Sequence, residues 1–548
     1  MGFKNIYSES TVAKYVRTIR ATPRELICNS RLLLSVALYA CSGIPLTWDQ
    51  GSSSVVSELP GFQQQFKISS GTNANAISHF VSLVYIGCGV GAGLSFFVND
   101  RVGRLWSLRI YMLIWIAGQL VATFAPNIGT LYAARIISGL GIGPLTVTGT
   151  NSIVEIAPTE IRGLLATWFS VAMLLSLWVA VFCVYGVYQT IEVSRLQYQA
   201  VWFSPCIFML LCIIASFFLS ESPRWLFLVN RQEEAVETLV RLRGLPISHP
   251  RVQIELQEIE ESISKERGAE GGLPGVLEIA RETFLVPANL RRLTQALMAF
   301  ALAQLSGANS ISSYFVPILA LVGASDDTAH SIFLSGMYSL AKFFFTLIAS
   351  FFIIDAMGRR KSAFIGITIQ VITDLYIGIF IKYRQQGPVS ASSAQGAIVA
   401  IFFHGFGYAI GLLILPYIFG GELWPNRIRS FGSAFCQMFH WLFFYGINAG
   451  TPSLLDDTNN WGAFIFFAAF NCIAIAYVFF MVPEIAGLGV EEMDSLFRGP
   501  WFKAYKRTRS PNLLVGVETP TGSLSAERVI DPNTEKGSTF VKTDESQV

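Results

Sequence analysis

An all-α membrane protein with twelve transmembrane helices in two pseudo-symmetric six-helix bundles is the fold this sequence predicts, on three observations. First, 52% of the 548 residues are apolar, only 14% are charged and 43 are Phe, a balance foreign to a water-soluble globular chain of this length. Second, apolar runs of spanning length occur six times, stop over a charged stretch, and occur six times more. Third, the loops after corresponding runs share residues at the same spacing.

The N-terminal segment, 1–31, is polar and basic and lacks the short apolar core and small-residue cleavage site of a removable signal peptide. The first span is therefore expected to serve as its own anchor. Runs near 32–56, 77–98, 106–126, 131–154, 163–187 and 199–219 make a first bundle, 32–219, since about 20 apolar residues suffice for one crossing. The stretch 220–290, with "RQEEAVETLVRLRG" and "RVQIELQEIEESISKERG", is charged and helix-prone and is broken by Gly-Gly and Pro, which predicts a cytoplasmic linker with surface helices. Runs near 292–323, 329–354, 362–382, 395–421, 430–454 and 461–482 make the second bundle, 291–482. The tail, 483–548, is polar and expected to be disordered. The eight cysteines lie mostly inside apolar runs without CxxC spacing, so neither a zinc site nor a disulfide framework is expected.

Lys and Arg gather in the N-terminal segment, the 2–3 loop, the 4–5 turn, the linker, the 8–9 loop, the 10–11 turn and the tail, while the alternate loops hold almost none. The positive-inside bias then places both termini and the linker in the cytoplasm.

The repeat is explicit. "NDRVGRLWS" after span 2 is matched by "IDAMGRRKS" after span 8, and "EIAPTEIRG" after span 4 by "ELWPNRIRS" after span 10. Duplicated six-span bundles are how alternating-access transporters are built, with the solute at the interface near mid-membrane. Asp100, Arg104, Glu155 and Arg162, with Asp355, Arg359, Glu422 and Arg429 opposite, are expected to pair at the cytoplasmic helix ends and latch that face shut. The plainer reading, charges that anchor single helix ends at the interface, does not explain the duplicated spacing.

These residues resemble the sugar porters of the major facilitator superfamily. The likeness runs from about 30 to 497 through "WDQG", "DRVGR", "AARIISGLGIG", "EIAPTEIRG", "SESPRWLF", "QLSGANSISSY", "DAMGRR", "GGELWPNRIRS" and "PEIAGLGVEEMDSLF", and the sequence is similar to fungal members including the quinate-permease-like branch. The resemblance implies a proton-coupled or facilitated carrier of small polyhydroxylated molecules. It makes Asp49 the helix-1 acid of proton-coupled members, Arg135 its helix-4 partner, Gln304 the second helix-7 glutamine, Asn309 the asparagine after it, and Trp441 the helix-11 tryptophan. Tyr417 falls at the place of a helix-10 tryptophan. Ser170 stands for a helix-5 glutamine, Ala303 for the first helix-7 glutamine, Ser313 for a tyrosine and His440 for an asparagine. Those departures remove long hydrogen-bonding side chains from the sugar-binding set.

Depth gives an independent reading. At about 1.5 Å per residue, Asp49 lies roughly 27 Å beyond cytoplasmic Arg31 and Arg135 roughly 30 Å before cytoplasmic Glu155. An isolated charge at mid-membrane costs at least about 2.5–3.5 kcal/mol, so two opposite charges at one level should meet. Two roles stay open for the pair: a proton-coupling switch, in which separation and dehydration move the carboxyl between charged and neutral, or a static clamp between helices 1 and 4. Lys342, roughly 24 Å from the cytoplasmic turn at Gly358, either meets an anionic solute group or reaches the outer headgroups. Ser170, Gln304 and Asn309 offer hydrogen bonds, and Tyr417 and Trp441 offer flat apolar faces, the two needs of a polyhydroxy ring. His440 either titrates near neutral pH or packs. Gly139, Gly141 and Gly143 let helices approach closely.

No P-loop, nucleophile–base pair or metal cluster is visible in the sequence, so neither ATP-driven transport nor an enzyme is expected, and no cofactor or nucleic-acid partner. The expected function is proton-coupled import of a sugar-like solute of hexose, quinate or uronate type by a monomer in the plasma membrane, its partners being the solute, H+ and the lipid bilayer. The rivals are an exporter of a secondary metabolite and a non-transporting nutrient sensor.

Overall fold

In a bilayer the backbone must satisfy its own hydrogen bonds, and among the described residues this chain does so with helices alone. A computed structural model describes residues 11–68, 74–267, 275–323, 327–413 and 415–483. The predicted tail beyond 483 lies outside them.

A basic helix α1 (Thr11–Ala21) and one turn, α2 (Arg24–Ile27), lead into span 1, which is broken into α3 (Ser30–Cys41) and α4 (Ile44–Val56). The short α5 (Pro60–Phe66) follows, and then the spans α6 (Ala74–Val102), α7 (Arg104–Thr123), α8 (Ile128–Ile156), α9 (Arg162–Thr190) and α10 (Leu196–Ser216). Four helices occupy the linker region: α11 (Pro223–Leu228), α12 (Gln232–Arg243), α13 (Pro250–Arg267) and α14 (Val276–Leu285). Span 7 comes in three pieces, α15 (Pro287–Leu305), α16 (Ala308–Ser313) and α17 (Phe315–Val322). Next come α18 (Thr328–Ile348), a π turn Ala349–Ile353, α19 (Ile354–Met357) and α20 (Arg359–Gln386). The last spans are α21 (Ala391–Ile410) with α22 (Leu415–Glu422), then α23 (Arg429–Asp457) and α24 (Trp461–Met481).

Ten of these spans are long and apolar enough to cross a membrane. The other two carry polar residues in their interiors, Gln304 and Asn309 on span 7 and His440 on span 11. Span 7 breaks at Gly307, whose φ of +80° suits a residue without a Cβ. The 29-residue α23 bears buried His440, Asn448 and Thr451.

The sequence repeat is also a structural one. Gly103 (φ +98°) and Gly358 (φ +86°) make equivalent turns, and an arginine, Arg104 or Arg359, opens the long helix after each. Arg162 and Arg429 likewise open α9 and α23. Within the first bundle α6 and α8 touch along their glycines: a Cβ on Gly139 would strike the carbonyl of Val84, and one on Gly143 that of Cys88. Gly141 faces the other way, where a Cβ would come 2.7 Å from the Trp115 nitrogen on α7. The bundles meet where α6 packs on α23 and α9 on α18. There the Ser78 hydroxyl donates to the Ala449 carbonyl at 3.0 Å, and toward the far end of α6 Phe96 meets Phe431 with centroids 5.4 Å apart.

Candidate functional site

The break in span 1 is followed by α4, whose apolar start gives way to small hydroxyl residues, so the helix can turn a polar face inward. Asp49 on α4 and Arg135 on α8 are 2% and 3% exposed. Arg135 Nη2 donates to Asp49 Oδ2 at 2.9 Å, and Nη1 bonds Oδ1 in parallel. Arg135 Nε donates to the Phe80 carbonyl at 2.8 Å, and the guanidinium lies 4.9 Å from the Phe80 ring centroid. A fork in this geometry fixes α4, α6 and α8 together. It is the pairing expected from depth alone.

Gln50 and Ser54, on the same helix as Asp49, line a space of about 410 Å³, in part open to solvent. Leu177 of α9 joins them from the first bundle. From the second bundle come Asn309, Ser312 and Ser313 of α16, Tyr338 and Lys342 of α18, and Phe444 of α23. The space sits between the halves, where a carried solute belongs. Lys342 donates to the Ser312 hydroxyl at 3.0 Å and lies 5.7 Å from the Tyr338 ring centroid. Among the described residues no carboxylate pairs with it.

Behind the cavity wall runs a hydrogen-bonded chain. Asn309 Nδ2 donates to Gln304 Oε1 at 2.9 Å. Gln304 Nε2 is therefore left to donate to His440 Nδ1, at 3.3 Å. A neutral imidazole that accepts at Nδ1 carries its proton on Nε2, which faces the Tyr417 hydroxyl at 3.3 Å. Tyr417 is 43% exposed. Trp441 is buried and lies parallel to Tyr85 across the bundle interface, 6.0 Å between centroids. Its Nε1–H has no partner among the described residues.

The predicted solute residues thus divide. Asn309 and Lys342 line the cavity, Gln304, Tyr417 and Trp441 lie behind or beside it, and Ser170 does not reach it. Ser170 is exposed, seven residues before Leu177 on the same helix, two turns nearer the start of α9. His440, which the sequence left between titration and packing, is a link in the chain behind the wall. Sequence reasoning passed over Gln50, Ser312 and Tyr338 of the wall, and a buried pair, Asp374 and His404. Each of those two stands alone in an apolar run, the same signal that pointed to Asp49.

At the end of the first bundle where the chain turns at Gly103, Arg104 donates to Glu155 at 2.8 and 2.9 Å and to Asp100 at 2.9 Å. The Ser222 hydroxyl donates to Glu155 at 2.6 Å. Glu221 accepts from the backbone N–H of Arg104 and of Leu105 at 3.0 Å, at the start of α7, and burial pushes its carboxyl above the usual range. Arg162 faces the linker, within the field of Glu255 and Glu258. Opposite, Arg429 Nη2 lies 3.5 Å from the Trp424 carbonyl, and Arg359 opens α20. The side chains of Asp355 and Glu422 lie outside the described residues.

The linker helices grip both halves. Arg243 donates to Glu255 at 2.9 Å and to the Ile156 carbonyl at 2.8 Å, and Arg251 to Glu160 at 2.8 Å. On the other side Arg427 bonds Glu278 and lies 3.5 Å from Glu282 of α14.

The pattern of the sugar (and other) transporter family matches residues 36–497. The chain is 29% identical to a probable quinate permease of Aspergillus flavus, over 87% of this chain and 90% of that protein. It is 29% identical to the quinate permease of Emericella nidulans over the same shares. Its fold matches the proton:xylose symporter XylE bound to 6-bromo-6-deoxy-D-glucose at a TM-score of 0.71, with 22% identity, over 86% of this chain and 100% of that one. It also matches a partially occluded inward-open XylE from E. coli at 0.68, with 20% identity, over 84% and 100%.

Proposed function

The chain belongs to the sugar (and other) transporter family of the major facilitator superfamily, and on that premise we propose that it imports a polyhydroxylated acid of quinate type together with protons. The observation that carries this reading is Lys342: an ammonium on the cavity wall, bonded to a serine hydroxyl and without a carboxylate partner among the described residues. A carboxylate on the solute supplies the missing charge. Asn309, Gln50 and the wall serines serve ring hydroxyls, and Phe444 the apolar edge. The quinate permeases among its relatives agree with an acidic solute.

Proton coupling falls to Asp49. As a carboxylate it holds Arg135 in a two-bonded fork. A proton on it removes the charge and one acceptor, loosening α4 from α8. Gln50 and Ser54 ride on α4, so the same loosening reshapes the cavity wall. Rocking of the bundles then exposes the solute to either side, with the ion-pair cluster at Arg104 and the pairs of Arg427 with Glu278 and Glu282 latching the cytoplasmic face. The positive-inside bias supports cytoplasmic termini, and a cavity formed within one chain supports a working monomer. The plasma membrane is the setting the import reading requires.

The test is uptake of labelled glucose, quinate and galacturonate by the purified protein in liposomes, with and without an inward proton gradient. Gradient-driven accumulation of quinate or galacturonate is expected. Accumulation of glucose alone overturns the acid reading. No uptake of any of the three turns attention to export.

A further inference from the structure

The second bundle holds a buried ionisable pair that the coupling scheme above does not use. Asp374 of α20 and His404 of α21 are both 0% exposed, with Asp374 Oδ1 3.2 Å from His404 Nε2. Asn471 of α24 donates to Asp374 Oδ2 at 2.9 Å. Among the described residues Oδ1 has no neighbour of this kind but the His404 ring nitrogen. A buried carboxylate oxygen left in that condition is costly when charged and is a natural seat for a proton.

His404 Nε2 is asked for opposite roles by its neighbours. The Ser306 carbonyl, 3.3 Å away, needs it as a donor, as does the Asp374 carboxylate, while the Gln370 amide nitrogen, also at 3.3 Å, needs it as an acceptor. Partners therefore stand ready for either state of the ring nitrogen. Ser306 lies next to Gly307, where span 7 breaks, and Gln304 and Asn309 flank that break. A change of proton at the pair is thus felt at the cavity wall.

The pair also reaches the cavity wall at Tyr338. Tyr338, one turn before Lys342 on α18, lines the cavity and lies within the field of Asp374. A Cβ on Gly405, beside His404, would come 3.0 Å from the Tyr338 hydroxyl. Among the described residues the titratable groups around Asp374 are thus His404 of α21 and, beyond it, Tyr338 of α18. α24 contributes Asn471, and the α17 sequence FVPILALV contains no titratable side chain.

We propose that Asp374 and His404 form a second proton-binding site, which takes up a proton when an anionic solute occupies the Lys342 cavity. The solute carboxylate brings a negative charge to the wall that Tyr338 shares with the pair, which favours the uncharged form of Asp374. One proton from a solvent hydronium ion then settles on Asp374 Oδ1, leaving water behind. The inference rests on the acid reading of the cavity.

Calorimetric titration of the full-length protein with quinate, in buffers of different ionisation enthalpy, counts protons taken up per quinate bound. The wild type is expected to take up protons, and Asp374→Asn and His404→Gln to take up clearly fewer. An unchanged count in either variant that still binds quinate overturns the second site and leaves the acid reading standing. No quinate binding by the wild type overturns the acid reading and this site with it. If neither variant folds, infrared difference spectra of the wild type and of Asp49→Asn decide: a protonated-carboxyl C=O band is expected on adding quinate, and its absence overturns the proposal.

Discussion

Asp49 and Arg135 stand face to face with two parallel hydrogen bonds between them, and neither side chain is more than 3% exposed. Removing one member leaves the other charge buried without its partner, a loss of about 3–5 kcal/mol. Asp49→Asn is therefore expected to lower the melting temperature and to abolish accumulation driven by a proton gradient, while solute exchange between equal compartments persists. Paired uptake and counterflow assays in liposomes check this. Accumulation that still follows the gradient in Asp49→Asn reduces the pair to a static clamp.

Lys342→Met tests the charge of the solute. Hydrogen bonds to a charged group contribute about 1.5–3 kcal/mol, so KM for quinate should rise about 10- to 100-fold. KM for an uncharged polyol analogue should change little. Equal effects on both, or on neither, show that the ammonium serves packing with Ser312 and Tyr338 and does not recognise the anion.

Much of this architecture was legible because membrane crossing imposes a length and an apolar composition that can be counted. The duplicated turns at Gly103 and Gly358 could be read too, since each needs a positive φ and each is followed by an arginine. Depth along a helix brought Asp49 and Arg135 to one level without any structure. What stayed hidden is which turn of a helix meets the opposite bundle. Ser170 and Leu177 lie on one helix face, yet only Leu177 reaches the cavity, and nothing in the spacing of α9 tells which turn meets the opposite bundle. Asp374 and His404 were hidden differently: they are thirty residues apart on separate spans, and only the packing of α20 against α21 brings them together.

Gly143→Val tests the contact between α6 and α8. A Cβ at 143 already collides with the Cys88 carbonyl, and overpacking of a tight core costs about 1–3 kcal/mol for side chains that can shift. Backbone on backbone has less room to shift. Loss of a monodisperse peak by fluorescence-detected gel filtration is expected. Normal behaviour and full transport would show that the helices separate without harm.

Glu160 and Arg251 supply the last expectation, a dependence on pH that belongs to the linker alone. Burial pushes the Glu160 carboxyl up, but the hydrogen bond and charge of Arg251 outweigh it, so the group sits below its usual range. Burial acts against the charge of Arg251 as well, and Glu160 outweighs it in turn, so the guanidinium is held charged. A carboxyl with a lower pKa folded than unfolded binds fewer protons in the folded state. The pair therefore stabilises the docked linker above the ordinary Glu value of about 4.3, and that contribution is lost as pH falls through the folded value. With Glu160 and Arg251 27% and 21% exposed, solvent screening limits the effect to about 0.5–1 kcal/mol. Hydrogen–deuterium exchange over 232–267, corrected for intrinsic rates, should quicken as the pH drops below about 4.3. Glu160→Gln should exchange up to about fivefold faster at neutral pH, as 1 kcal/mol requires, and lose that acid-dependent change. Unchanged protection in Glu160→Gln would show that Arg243, through Glu255 and the Ile156 carbonyl, holds the linker without help.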